Sequence, residues 1–160
     1  QQELDDANKI INNAMLHPVL TEMMQNKEAT EIRLEWKHKE VNFKGFADLL
    51  TTFNGRKCVV DIKTTNDAGK RFERDLYYND YKMQLAMYQD QYDKDTDAYI
   101  VAIETTTPFN VQIYKLDDSL LFKGWMDYDY YTDKFKEWNG EPQGYSSDIV
   151  EVKTETEEIL

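Results

Sequence analysis

"KGFADLLTTFNGRKCVVDIKTT", residues 44–65, decides the fold. Two apolar stretches flank Asn54–Gly55. Asn-Gly favours a tight two-residue hairpin, because both residues tolerate the positive φ that such a turn needs. The first strand is predicted over 41–53 and the second over 57–63, whose unbroken Cys58–Val60 run suits a strand covered on both faces. Asp61 and Lys63 stand two apart, so their side chains leave the same face. The hairpin can bring Asp48 beside Asp61. Two carboxylates held close repel unless a cation lies between them. Oxygen ligands suit Mg²⁺ or Mn²⁺, and a neighbouring lysine can polarise a water or stabilise charge building on a phosphate. The same spacing also suits a cross-strand ion pair of Asp48 or Asp61 with Lys63 on a solvated sheet face. Spacing alone leaves both readings open.

Outward from this hairpin, residues 4–16 carry Ile10, Ile11, Ala14 and Met15 at helical spacing. Pro18 breaks or restarts that helix, with His17 as a weak N-cap and Val19, Leu20, Met23 and Met24 as the next apolar face. Residues 30–37 alternate as a half-buried strand, and Lys37–Glu40, with His38 inside it, forms a turn. Residues 64–79 are polar and mixed, which predicts a loop. A helix follows from Asp80 to Tyr92, then strands over 97–104 and 109–116, with Pro108 at their turn. Asp117 or Asp118 caps a last helix with an apolar stripe of Leu121, Trp125, Tyr128, Phe135 and Trp138, ended by Gly140. The order is α-βββ-α-ββ-α: one α/β domain over 1–140 with a mixed central sheet flanked by helices, followed by an acidic, flexible tail over 141–160.

Composition limits the function. The 160 residues suffice for one core. The single cysteine, Cys58, excludes an internal disulfide and a four-thiolate metal site, and it fits a reducing cytoplasm. No run approaches the roughly 18 apolar residues of a membrane span. Nineteen Lys and Arg against 31 Asp and Glu give a net charge of −12, which argues against a protein that coats DNA. Lys63, Lys70, Arg71, Arg74 and Lys82 after the hairpin, with Lys37, Lys39 and Lys44 before it, could still form a basic wall around an acidic site.

The pattern "GFAD … VVDIKTT" resembles the PD-(D/E)XK nuclease superfamily, with Ala47 in place of the proline. "YKMQLAMY" (81–88) is similar to the Gln-x-x-x-Tyr helix of its RecB-like branch. Together with "TEIRLEW" and "YKMQLAMYQDQYD", residues 30–92 resemble the RecE-type exonucleases (exonuclease VIII) of phages and prophages. The resemblance implies a restriction-endonuclease-like core and a Mg²⁺- or Mn²⁺-dependent DNA exonuclease acting on duplex ends. Asp48, Asp61 and the backbone carbonyl of Ile62 would hold the metal, with Glu31 as an outer ligand or water holder; Glu31 also fits a simple exposed strand position. Lys63 would act on the attacking water, while Gln84 and Tyr88 would contact phosphate or position the catalytic groups. Thr64 and Thr65 could donate to phosphate or bond the backbone at the strand end.

The resemblance also implies 5′ to 3′ polarity, a homo-oligomeric ring, a single-strand annealing partner and the cytoplasm of a bacterial or phage-infected cell. It implies a metal-binding histidine in a Gly-x-x-x-His context as well. His17, in "MLHPVL", lacks that glycine, so the family histidine would lie upstream of Gln1. Three rival readings remain: an endonuclease or single-strand nuclease on the same site, a nuclease-fold binding module without activity, and an acidic DNA mimic.

Overall fold

The hairpin forms at Asn54–Gly55, where both residues have positive φ, 51° and 73°. The structure is a computed structural model that describes residues 2–93, 95–138 and 140. The elements run α1 (Gln2–Leu16), α2 (Pro18–Gln25), β1 (Lys27–His38), β2 (Val41–Phe53), β3 (Arg56–Thr65), α3 (Lys70–Tyr78), α4 (Tyr81–Gln89), β4 (Asp97–Glu104), β5 (Val111–Leu116) and α5 (Asp118–Glu137). The five strands form one sheet in the order β1-β2-β3-β4-β5. Neighbours are antiparallel except β3 and β4, which are parallel. A parallel pair needs a long crossover, and α3 and α4 provide it.

Helices cover both faces of the sheet. Leu34, Val59, Ile100 and Leu116 pack against Phe72, Leu76, Leu85 and Leu121 from α3, α4 and α5. Leu49, Cys58, Val60 and Val101 pack against Ala14, Leu20 and Met23 from α1 and α2. Successive β3 residues feed opposite layers, as a central strand requires. This is the restriction-endonuclease-like α/β architecture. No described helix is long and apolar enough to cross a membrane. The acidic tail over 141–160 lies outside the described residues.

Several local expectations need correction. The stretch 64–79 is not all loop, because Lys70–Tyr78 form α3. Only Phe72 and Leu76 bury, one turn apart, and the surrounding charges hide that period. His38 ends β1, and the turn is Lys39–Glu40, both at positive φ. Its Nε2 lies 3.0 Å from Asp129 Oδ1, and its ring packs 4.5 Å from that of Tyr128, so α5 holds it in the strand. His17 occupies the N-cap position of α2 but makes no side-chain cap bond. Asp117 does cap α5, accepting from the Leu120 amide at 2.8 Å. On α5, Leu121 and Tyr128 are buried, but Phe135 and, at the C-cap, Trp138 are exposed rather than part of a core stripe.

Candidate active site

The site begins where two strands part. β1 pairs with β2 from Lys27 to His38, whereas β2–β3 pairing ends at Leu49↔Val60. Asp48 is the next residue on β2. Its Oδ2 accepts from the Ile62 amide at 2.7 Å, so a side chain satisfies a donor that the ladder has abandoned. Ala47 and Leu49 join opposite core layers although they stand two apart. The alternation therefore breaks at Asp48, the kind of irregularity that re-aims a side chain at a site. Glu31 lies across from Asp48, between the pairs Thr30↔Leu49 and Ile32↔Ala47, with φ 51°.

On β3, Asp61 is only 2% exposed. Its Oδ2 lies 2.7 Å from Lys63 Nζ, and its Oδ1 accepts from Gln84 Nε2 at 3.0 Å. Gln84 Oε1 accepts from Lys63 Nζ at 3.2 Å, and Gln84 Nε2 also donates to the Tyr88 hydroxyl at 3.2 Å. Helix α4 allows this because Gln84 and Tyr88 are one turn apart. Burial pushes the Asp61 carboxyl above the usual aspartate range; Lys63 pulls it back, and the charge of nearby Asp48 pushes it up.

The structure thus brings Asp61, Lys63, Gln84 and Tyr88 into one network, with Asp48 beside it. Glu31 is exposed, and no group of three His, Cys, Asp or Glu side chains positioned to hold a metal occurs among the described residues. Thr65 Oγ1 bonds the Asp67 backbone in a local turn. Asp61 Oδ2 is buried without a hydrogen bond of good geometry, its contact being the Lys63 ammonium. A buried carboxylate with a second carboxylate nearby fits a small, hard divalent ion that keeps several waters.

Three supporting residues escape a reading of the sequence. A Cβ on Gly45 would stand 2.7 Å from the Tyr88 ring, so this strand glycine makes room for the tyrosine. A glycine inside a strand pattern is the available signal for such an approach. The Tyr81 ring centroid lies 5.2 Å from Lys63 Nζ. Buried Glu104 accepts from the amides of Ala68 and Asn110, each at 3.0 Å, tying the segment before α3 to the β4–β5 connection.

The anticipated basic wall is reduced by pairing. Lys82 meets Asp80 and Asp127, Lys39 meets Asp129 and Asp133, and Lys37 meets Glu40. Lys44, Lys70, Arg71 and Arg74 have no ion pair among the described residues. A cavity of about 760 Å³ between α4 and α5 includes none of the network residues.

No curated protein matches the chain. Among solved structures it is similar to a protein from Eubacterium rectale named "Putative exonuclease", with 15% identity and a TM-score of 0.70 over 86% of this chain and 54% of that one. At that identity the likeness shows the fold, and this chain spans about half the length of that protein. A second structure, SSO0001, aligns over 80% of this chain and 59% of that one at 20% identity, with a TM-score of 0.42, too low to carry an argument. Residues 1–153 match the PDDEXK-like domain of unknown function (DUF3799), and the chain belongs to that family.

Proposed function

We propose that this protein is a divalent-metal-dependent deoxyribonuclease that hydrolyses phosphodiester bonds from the ends of duplex DNA. The observation that carries this reading is the bonded set Asp61–Lys63–Gln84–Tyr88 at the point where β2 leaves β3. Exonuclease action, 5′ to 3′ polarity, a role in recombination, a ring assembly and an annealing partner rest on the resemblance to RecE-type enzymes.

Each side chain has a task that its bonds leave open. A lysine ammonium has three donors. Lys63 donates to Gln84 and lies 2.7 Å from Asp61, which leaves a donor to orient a water toward phosphorus. Gln84 holds Asp61 and Lys63 in register by donating to one and accepting from the other. The Tyr88 oxygen accepts from Gln84, which leaves its own hydrogen for a phosphate oxygen. Asp48, Asp61 and the Ile62 carbonyl would hold Mg²⁺ or Mn²⁺. When bound, that ion supplies stabilisation of the negative charge that builds on the phosphate.

The test is cleavage of linear and closed-circular duplex DNA with Mg²⁺, Mn²⁺ or EDTA, beside Asp61→Asn and Lys63→Ala. Metal-dependent loss of linear DNA alone, abolished by both substitutions, is the expected result. Cleavage of closed circles would turn the reading to an endonuclease. A second reading, a nuclease-fold module that binds without cutting, is favoured by the lack of a third acidic or histidine ligand among the described residues. It predicts a metal-dependent rise in Tm with no cleavage of either substrate.

A further inference from the structure

Helix α3 separates its residues sharply by chemistry. Phe72 and Leu76 are buried on one side. At 3.6 residues per turn, Lys70, Arg71, Arg74, Tyr77 and Tyr78 fall within an arc of about 120° on the opposite side. All five are exposed, with Tyr77 at 57% and Tyr78 at 76%. The three cations have no ion pair among the described residues, in a chain whose net charge is −12. Two acids of the helix, Glu73 and Asp75, stand beside the arc, and Asp75 is partly buried. Tyr130 and Tyr131 of α5 are also adjacent and exposed, but the neighbouring Lys134 is paired with Glu137. On α3 the tyrosines stand among three unpaired cations, which an apolar docking face would not carry.

The other side of the helix is tied to the network. Phe72, on the buried side of α3, stacks on Tyr81 at 5.8 Å, and the Tyr81 ring in turn faces Lys63 Nζ. Tyr114 fixes the entry to α3 by donating its hydroxyl to the carbonyls of Ala68 at 2.6 Å and Gly69 at 3.0 Å. The helix is therefore held on the side of the sheet that carries Asp61 and Lys63.

Free cations suit phosphates, and exposed aromatic rings suit bases that have left the stack. Paired bases offer no face to a tyrosine, so the combination selects one strand over a duplex. Resting on the nuclease reading above, we infer that α3 is a grip for a single DNA strand beside the site. Lys70, Arg71 and Arg74 contact its phosphates, and Tyr77 and Tyr78 stack on its unpaired bases.

The test is fluorescence anisotropy in EDTA, where no cleavage occurs, with a labelled oligothymidine and a blunt duplex of equal length. The unaltered chain should bind the single strand more tightly. Tyr77→Ala with Tyr78→Ala should weaken single-strand binding about tenfold or more and leave duplex binding unchanged. Arg71→Ala with Arg74→Ala should weaken both and flatten the slope of log K against log salt by about 1.4 for the single strand. Tyr130→Ala with Tyr131→Ala, also exposed but on α5, should change neither. Equal affinity for the two ligands, or an unchanged tyrosine variant with native Tm, overturns the single-strand grip. Because the measurement needs no catalysis, a chain that cleaves nothing refutes the nuclease reading separately from this one.

Discussion

Asp48 and Ile62 are joined by a hydrogen bond that stands in for a strand-ladder bond: the carboxylate accepts the amide at 2.7 Å, just beyond the last β2–β3 pair. Strand separation and the placement of Asp48 near Asp61 are thus one structural feature. As β2 leaves β3, the unpaired amide draws in the carboxylate, which comes to rest near Asp61.

Two substitutions divide the structural from the chemical role of Asp48. Asp48→Asn keeps an oxygen for the Ile62 amide but loses the charge. It should leave Tm nearly unchanged and reduce metal-dependent cleavage about 10²–10³-fold, the range for removing one charge-stabilising group. Asp48→Ala also removes the acceptor and should cost about 0.5–1.5 kcal/mol of stability. Thermal melts beside cleavage assays check both. Equal destabilisation by the two would mean that the hydrogen bond contributes nothing.

Burial and Asp48 raise the Asp61 carboxyl while Lys63 opposes them. The folded chain therefore holds this proton more tightly than the unfolded chain does. The resulting stability is present below the ordinary aspartate pKa and is lost as pH rises through the raised value. In EDTA, the stability of the unaltered chain relative to Asp61→Asn should fall as pH rises from the ordinary aspartate range through the raised value. Added Mg²⁺ should raise the Tm of the unaltered chain and not that of the variant. A gap between the two that does not move with pH would contradict this account.

What the sequence reveals follows from which signals are local. Asn54–Gly55 states its turn in two residues, Asp61 and Lys63 share a face by strand period, and Gln84 and Tyr88 share one by helix period. The departure of β2 from β3 is not local: no pattern in 41–53 says where pairing stops. The role of Gly45 depends on a ring delivered from α4, far along the chain. Helix α3 shows only two buried apolar residues in nine, too few to display a period. The opposite error occurs at the end of α5, where Phe135 and the C-cap Trp138 continue an apolar stripe yet remain exposed. At 1.5 Å per residue, its 20 residues span about 30 Å, while the nine of α4 span about 14 Å, so α5 outruns the helix it packs on.

Two glycines should fail differently when replaced. In Gly45→Ala the new Cβ would stand 2.7 Å from the Tyr88 ring. The ring must shift, which weakens its bond with Gln84, so activity should fall more than stability. In Gly124→Ala the Cβ would stand 2.2 Å from the Lys82 carbonyl oxygen, a backbone atom at the start of α4. The two helices would have to separate, at about 1–3 kcal/mol or more. Tm and cleavage measured on both variants check this. A Gly45→Ala chain with full activity would show that the placement of Tyr88 is not critical.

Glu104 offers a test remote from the chemistry. Each of its carboxylate oxygens accepts one backbone amide, from Ala68 and from Asn110. The Ala68 amide, helped by that of Asn110 and opposed by burial, holds this carboxyl below the usual glutamate range. Its contribution to stability is therefore present above the unfolded pKa and lost as pH falls through the depressed folded value. Glu104→Gln would turn an NH₂ group toward one of the two amides, leaving donor facing donor, at about 1–3 kcal/mol. The variant should melt below the unaltered chain at neutral pH, and the difference should shrink in acid as the carboxylate itself is protonated. Because Ala68 leads into α3, whose Phe72 supports Tyr81 against Lys63, cleavage should also fall. Melts at neutral and acidic pH decide the matter. A difference that persists unchanged in acid would mean that shape, and not the charge on Glu104, joins the two connections.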